Sequence, residues 1–181
     1  IDKLAVTSPD NQLLNIIKKK YKKKIITIKR PEEFGLINTE LEKTIKHTLK
    51  KIKKKNIRFD YIMHSSFRTP FISSQVIEDG INTLQLFNSD KIICVTQETH
   101  RYFKHDGSGL KSLIRTSNLK LERDAIYKQV MGFTIAKKNC FFDKDENLKI
   151  GHIILTNKQS FEVNSDNDLK ISNKIHSNEN Y

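Results

Sequence analysis

The stretch Phe59-Asp60-Tyr61-Ile62-Met63-His64-Ser65-Ser66-Phe67-Arg68-Thr69-Pro70 decides how the chain is read. Phe59 to Met63 is a compact apolar segment with the length of a short buried strand, and the polar elbow His64 to Pro70 ends it. Ser73 or Ser74 can then cap a helix whose apolar face is Val76, Ile77, Ile81, Leu84 and Phe87. Lys91 to Thr96 is another short buried strand. Strand, polar turn, helix and strand at this spacing form a βαβ unit, which implies a largely parallel sheet with right-handed crossovers.

The same alternation runs back to the N-terminus. Leu4 to Thr7 is a short apolar run broken by Ser8-Pro9-Asp10, and Leu13, Leu14, Ile16, Ile17 and Tyr21 follow at helical spacing. Lys18 to Lys24 is basic apart from Tyr21, and the β-branched Ile25-Ile26-Thr27-Ile28 reads as a strand ending at Arg30-Pro31. Glu32 to Asn38 reads as a loop. From Thr39 onward Leu41, Ile45, Thr48, Leu49 and Ile52 mark one helix face, while Lys43, Lys46, Lys50, Lys51 and Lys53 to Lys55 cover the other. Beyond Thr96 the pattern changes. Residues 97–127 carry scattered aromatics and a turn at His105-Asp106-Gly107-Ser108-Gly109 with no sustained period, an excursion from the sheet. Met131 to Ala136 and His152 to Leu155 read as later strands, Phe161 to Val163 as a short β-prone segment, Asp168 to Ile175 as a final helix and His176 to Tyr181 as a frayed tail. The expectation is one α/β domain over residues 1–175.

Of the 181 residues 36% are hydrophobic and 30% charged, yet 24 Ile and 10 Phe supply a core, which excludes a disordered chain. No apolar run approaches the ~18 residues that span a bilayer. Ile1-Asp2-Lys3 has neither the basic nor the apolar region of a signal peptide, so membrane and secreted readings fall away and a cytoplasmic location is expected. Cys94 and Cys140 stand alone in apolar stretches and fit two buried free thiols in a reducing compartment, not a disulfide framework or zinc knuckle. The net charge of +12 points towards an anionic partner. Only 6 of the 33 basic residues are Arg, however, and Lys, Ile and Asn make up more than a third of the chain, the mark of an AT-rich genome. Arg is the better bidentate reader of phosphate and guanine. The sequence therefore argues against nucleic acid, and the Lys18 to Lys24 and Lys43 to Lys55 runs read as solvated helix faces.

Several segments also carry a pattern in their order. They are Val6-Thr7-Ser8-Pro9-Asp10, Arg30-Pro31-Glu32, Phe59-Asp60-Tyr61 through Arg68-Thr69-Pro70, and Lys91 to Thr96 with His100-Arg101-Tyr102-Phe103. Arg123-Asp124 with Tyr127, Gly132-Phe133-Thr134-Ile135 and Ser160 to Leu169 complete the series. Across nearly the whole chain they resemble, in turn, V-S-T-D, R-P-x-E/D, Y-D-Y with Q-P-T-S-P-L-R-T-P, D-S-V-V-S-V-T with H-P-Y-W, R-Q-D, N-G-A-I-Y-I and S-I-D-I-D-T-E-E-D-L. Those are segments of the acylneuraminate cytidylyltransferase family, the CMP-sialic acid synthetases and their relatives.

The resemblance implies a Rossmann-like, three-layer α/β nucleotidyltransferase fold with a mainly parallel sheet and a dimerisation arm at residues 97–127. It implies a homodimer, Mg²⁺ as cofactor, and CTP and a nonulosonic (sialic acid-like) sugar acid meeting at the carboxyl ends of the strands. In the implied reaction a sugar hydroxyl attacks the α-phosphate of CTP and pyrophosphate leaves, chemistry that needs positioning and charge neutralisation more than a covalent nucleophile. Carried over by position, substrate contacts fall to His64, Ser65, Ser66 and Arg68, with Arg123 on the arm, and nucleotide contacts to Ser8 and Asp10. The paired metal-holding Asp of the family align with Glu162 and Asn164, a pair degenerate by one charge. The elbow is shorter than Q-P-T-S-P, Met131 replaces the Asn before Gly132, and the family's Gly-rich basic loop precedes the point where this sequence begins. These departures imply a truncated or divergent member, or a non-catalytic relic that binds a sugar, nucleotide or partner.

Residue chemistry alone leaves the alternatives open. Arg68 can clamp a phosphate or carboxylate bidentately, or pair with Asp60 or Asp79. Arg123 can reach a substrate or pair with Glu122 or Asp124. Asp10 suits a nucleotide site or an ordinary helix N-cap, and His64 a proton-transfer or a structural role. Glu162 and Asn164 would share one face of a strand, as metal ligands or as a solvated face. Asp166 and Asp168 suit the cap and dipole of the last helix, and Cys140-Phe141-Phe142 reads as core.

Overall fold

Strand β1 (Leu4–Ser8), helix α1 (Asn11–Tyr21) and strand β2 (Ile25–Lys29) make the first βαβ unit, as the apolar spacing requires. The structure, a computed structural model, describes residues 1–35, 40–98, 100, 102–113, 125–142 and 147–178. They divide into two units, Ile1–Phe59 and Asp60–Tyr181.

In the first unit β1 and β2 pair in parallel, Leu4 opposite Ile25 and Ser8 opposite Lys29. Helix α1 packs on both strands. Asp10 starts it: its Oδ1 accepts the N–H of Gln12 at 2.7 Å and of Leu13 at 3.3 Å, satisfying donors that the first helical turn leaves orphaned. The buried Ser8 Oγ accepts the N–H of Asp10 at 3.1 Å. After a short 3₁₀ turn at Glu32–Gly35, α2 (Leu41–Lys53) presents Lys to solvent and turns Thr44, Ile45, Thr48, Leu49 and Ile52 inward. Thr44 Oγ1 donates to the Phe34 carbonyl at 3.3 Å, and the Phe34 ring meets His47 edge-on. Thr39, the expected start of this helix, lies outside the described residues.

The second unit runs β3 (Tyr61–Ser65), α3 (Ser74–Leu86), β4 (Lys91–Glu98), β5 (Phe103–His105), β6 (Leu110–Ser112), β7 (Ile126–Lys137), β8 (Ile150–Ile154) and α4 (Asp166–Asn178). Its four-stranded sheet has the order β3-β7-β4-β8. Strands β3, β4 and β8 run in one sense, and β7 runs against them between β3 and β4. Ser73 caps α3, its Oγ accepting the Val76 N–H at 3.4 Å. Helix α3 lies on β4, β7 and β8, where Val76, Leu84, Ile92, Cys94, Phe133, Ile135 and Leu155 form the core. Cys94 is a buried free thiol and Cys140 a half-buried one, and burial pushes the Cys94 thiol upward.

Three expectations are corrected here. Phe161 to Val163 forms no strand: Phe161 N–H closes a local turn on the Lys158 carbonyl at 3.1 Å, and a single bond, from Val163 N–H to the Arg68 carbonyl at 2.8 Å, ties the segment to a distant part of the chain where a ladder would need several. The last helix starts at Asp166 and extends through His176 to Asn178, past the expected frayed point, while 179–181 lie outside the described residues. Strand β7 begins at Ile126, five residues before the expected Met131, because it carries an irregularity that breaks its period. Within the excursion, β5 and β6 form a hairpin through Asp106 to Gly109, with Gly107 at φ 95° and Gly109 at φ 150°. Arg101 and residues 114–124 lie outside the described residues. None of the described helices is long and apolar enough to cross a membrane.

Candidate functional site

The irregularity in β7 builds the site. Ile93 of β4 stands opposite Thr134, but Val95 stands opposite Gln129, so Val130, Met131, Gly132 and Phe133 share the space facing Cys94 alone. Such a bulge withdraws backbone groups from the ladder and re-aims them. The Gly132 carbonyl turns to the end of β3, where it accepts the Ser66 N–H and the Ser65 hydroxyl, both at 3.2 Å. The Met131 N–H goes to Glu162 Oε1 at 3.2 Å. Gly132 is required here, since a Cβ would lie 2.8 Å from Cys94 Sγ and 3.0 Å from Cys94 Cβ.

The elbow after β3 completes the corner. Ser66 Oγ accepts the Arg68 N–H at 3.1 Å, and the Ser66 carbonyl accepts the hydroxyl of buried Thr69 at 3.1 Å. The Arg68 carbonyl takes the Val163 N–H, and Arg68 Nη1 donates to Asn164 Oδ1 at 3.3 Å. Asp168 Oδ2 in turn accepts the backbone N–H of Asn164 at 3.0 Å and of Ser165 at 2.9 Å. Ser165 Oγ accepts the Asp168 N–H at 3.2 Å, so Ser165 and Asp168 form a capping box that starts α4. The Ser165 hydroxyl also donates to Asp168 Oδ2 at 2.8 Å, and this bond foremost, with those from the Asn164 and Ser165 N–H groups, holds the Asp168 carboxyl below the usual carboxylate range. The arrangement is an exposed guanidinium whose backbone is tied on both sides, among hydroxyls and an amide, a geometry suited to an anionic group.

Ser65, Ser66, Arg68, Glu162 and Asn164 are thus brought together within the second unit. Alternation along β3 turns His64 to the face opposite Met63 and Ser65, beside buried Ile62. Burial lowers the His64 pKa, which keeps the imidazole neutral at pH 7. In the first unit Ser8 and Asp10 serve the start of α1, as the capping alternative has it. Arg123 lies outside the described residues. Asp168 serves the cap of the last helix as expected, whereas sequence reasoning missed Ser165 as its capping partner and the backbone groups of Met131 and Gly132. A lone Gly inside a strand and the S-x-x-D spacing were the available signals.

The donors at 162–164 do not by themselves fit Mg²⁺. They comprise one carboxylate, with an oxygen committed to Met131, and one neutral amide whose oxygen faces a guanidinium. Mg²⁺ demands near-octahedral oxygen coordination, and a guanidinium on the same ligand opposes a second cation. Among the described residues no group of three or more His, Cys, Asp or Glu could hold a metal.

No protein-family model matches the sequence, and no curated protein matches it. Solved structures do match. The 4-diphosphocytidyl-2C-methyl-D-erythritol synthase from Anaerococcus prevotii aligns over 98% of this chain and 79% of its own, with TM-score 0.68 and 14% identity. Another 4-diphosphocytidyl-2C-methyl-D-erythritol synthase aligns over 95% and 79%, with TM-score 0.66 and 10% identity. The 2-C-methyl-D-erythritol 4-phosphate cytidylyltransferase of Francisella tularensis aligns over 96% and 80%, with TM-score 0.63 and 14% identity. These neighbours are named for a methylerythritol, so the finer resemblance to acylneuraminate enzymes rests on sequence motifs alone. At such identities the shared property is the fold. The chain has the mixed α/β nucleotidyltransferase fold of cytidylyltransferases, with a mainly parallel sheet.

Proposed function

We propose that the chain is a nucleotidyltransferase of the cytidylyltransferase kind, which activates an anionic sugar, a 2-keto sugar acid of the nonulosonic type, with CTP. The Arg68 corner is the observation that supports this reading. In a fold shared with cytidylyltransferases, Arg68 follows the carboxyl end of β3, its backbone held by Ser66 Oγ and the Val163 N–H and its guanidinium on Asn164 Oδ1. A sugar carboxylate can replace Asn164 as its partner and gain a charge-assisted pair. In the reaction a sugar hydroxyl oxygen bonds to the α-phosphorus and gives up its proton to solvent, the bond from that phosphorus to the bridging oxygen breaks, and pyrophosphate leaves with the electron pair. Arg68 binds and orients the sugar in this scheme. A homodimer through the β5–β6 hairpin belongs to the proposal, supported by Phe103, Leu110 and Leu113, which are 50%, 69% and 60% exposed.

Asn164 in place of a carboxylate favours a second reading, a non-catalytic relic that binds sugar or nucleotide without turnover. Pyrophosphate release from CTP separates the two, measured with a panel of nonulosonic acids and with 2-C-methyl-D-erythritol 4-phosphate. The proposal expects release with a sugar acid, and an Arg68→Ala variant whose KM for that acid rises about 10- to 150-fold, the worth of a hydrogen bond to a charged group. Release with the methylerythritol phosphate alone would overturn the substrate class. No release with any sugar, and none regained by Asn164→Asp, would establish the relic.

A further inference from the structure

The division of the chain into two units bears on its charge. Residues 1–59 hold 17 Lys and Arg against 6 Asp and Glu, a balance of +11, whereas residues 60–181 hold 16 against 15. Lysine follows the same division, with 15 in the first 59 residues and 12 in the remaining 122. An AT-rich genome would enrich Lys throughout the chain. It does not explain a surplus confined to one unit, and charge asymmetry of this kind marks contact with a polyanion.

The surplus is also ordered. Lys43, Lys46, Lys50 and Lys53 on α2, with Lys54 continuing the helical backbone at φ −63° and ψ −16°, fall within an arc of about 100° at 3.6 residues per turn. They run for about 16 Å along the axis, one charge every ~4 Å. Neighbours at i,i+3 and i,i+4 repel one another, and Lys43, in the first turn, is opposed by the helix dipole as well. Lys46 is paired with Glu42. Among the described residues Lys43, Lys50, Lys53 and Lys54 form no salt bridge. A cap on the dipole would account for Lys50 and Lys53 but not for Lys43. A line of like charges therefore has free energy to gain from an anion of matching length.

We propose that the lysine stripe of α2 docks the sugar–phosphate backbone of single-stranded nucleic acid without reading its bases. Along a stacked strand the phosphates rise by ~3.4 Å per nucleotide, the per-strand value of DNA, and a flexible single strand can take up that stacked form along the stripe. Lys contributes point charge and little base recognition, so binding tolerates any sequence. The centre of a protein–protein interface is apolar and poor in Lys, unlike this line. A membrane-surface helix inserts its apolar face, and here Ile45, Leu49 and Ile52 are already half-buried within the first unit.

The test is fluorescence anisotropy of a labelled 20-nucleotide oligo-dT with the full chain between 50 and 200 mM NaCl. With four to five phosphates neutralised, log K falls with log salt at a slope of about −3, roughly a 60-fold loss over that range. Lys43→Gln/Lys50→Gln/Lys53→Gln/Lys54→Gln keeps helix-forming residues and is expected to weaken binding at least tenfold at 50 mM, with the slope close to zero. Lys158→Gln/Lys170→Gln/Lys174→Gln in the second unit should leave both unchanged. Circular dichroism confirms that each variant is folded. Failure of the wild type to bind at 50 mM, equal binding by the α2 variant, or displacement of the oligonucleotide by stoichiometric CTP would overturn the proposal. So would binding to phosphatidylserine vesicles with none to the oligonucleotide.

Discussion

Gly80→Ala sets two well-known effects against each other, and the structure decides the sign. In a helix interior Ala is favoured over Gly by about 1 kcal/mol. At Gly80, however, the new Cβ would lie 2.7 Å from Phe133 Cε2, 2.9 Å from Phe133 Cζ and 3.3 Å from Ile135 Cδ1. Ordinary carbon contacts are about 3.5–4.0 Å. Phe133 is 3% exposed, stands on β7 opposite Ser65 of β3 and belongs to the core with Val76, Leu84 and Ile135, so the ring has nowhere to retreat except through the core. Overpacking costs about 1–3 kcal/mol, and two ring carbons under 3.0 Å put Gly80→Ala in the upper half of that range, about 2–3 kcal/mol, which outweighs the helix gain and leaves a net loss of about 1–2 kcal/mol. That corresponds to a drop in Tm of about 4–8 °C for a unit of this size. Thermal and urea unfolding of the full chain measure it. Repeating the substitution in a Phe133→Leu background removes the ring, and there Gly80→Ala should stabilise. A single Gly80→Ala variant that is more stable than wild type, or the same loss in both backgrounds, refutes the reasoning.

Ser165→Ala removes the cap of α4 and should lower stability by about 1 kcal/mol, read as a shift in urea midpoint at unchanged slope. Stability should also fall on acidification. The Asp90 carboxyl is held low chiefly by Lys137, and that of Asp106 is lowered to about 2 by Lys111 and Ser108. His64 is lowered by burial. A group whose folded pKa lies below its unfolded value stabilises fully above the unfolded value and loses that contribution as pH falls through the folded one. The urea midpoint is therefore expected to decline first below about pH 6.5, from His64, and again from about pH 4 towards 2, from the carboxylates. His64→Gln should abolish the first decline and Asp90→Asn reduce the second. A midpoint that rises between pH 7 and 3 contradicts both assignments.

What was legible in the sequence is what local chemistry determines. Asp10 and Ser73 announce α1 and α3 because a cap is a contact between near neighbours, and the apolar faces of those helices follow a simple period. The Asp-Gly-Ser-Gly turn of the β5–β6 hairpin is likewise local. Phe161 to Val163 misled because β propensity states a preference and not a partner: its N–H found the carbonyl of Arg68, 95 residues earlier in the chain. The candidate site was legible only in part. Ser65, Ser66, Arg68, Glu162 and Asn164 were named as residue types in the right order, but what gathers them is the displaced backbone of Met131 and Gly132, signalled in the sequence by nothing more than a lone Gly within a strand. The pairing of Arg68 with Asn164 could not be read from either residue alone.

The reversed strand β7 also dictates a schedule for synthesis. Strand β3 ends at Ser65, and among the described residues its ladder partner is β7, complete at Lys137, 72 residues later. At about 5–20 residues per second the ribosome takes roughly 4 to 14 s to supply it. Strand β4 waits as well, since both its neighbours, β7 and β8, follow it in the chain. During that interval the described elements that the nascent second unit can close are α3 and the β5–β6 hairpin, with two apolar strands unpaired, while β1, α1 and β2 could join as soon as Lys29 has emerged. The chain is therefore most exposed to aggregation and to chaperones in mid-translation, and slowing elongation between residues 98 and 126 should lengthen that exposure.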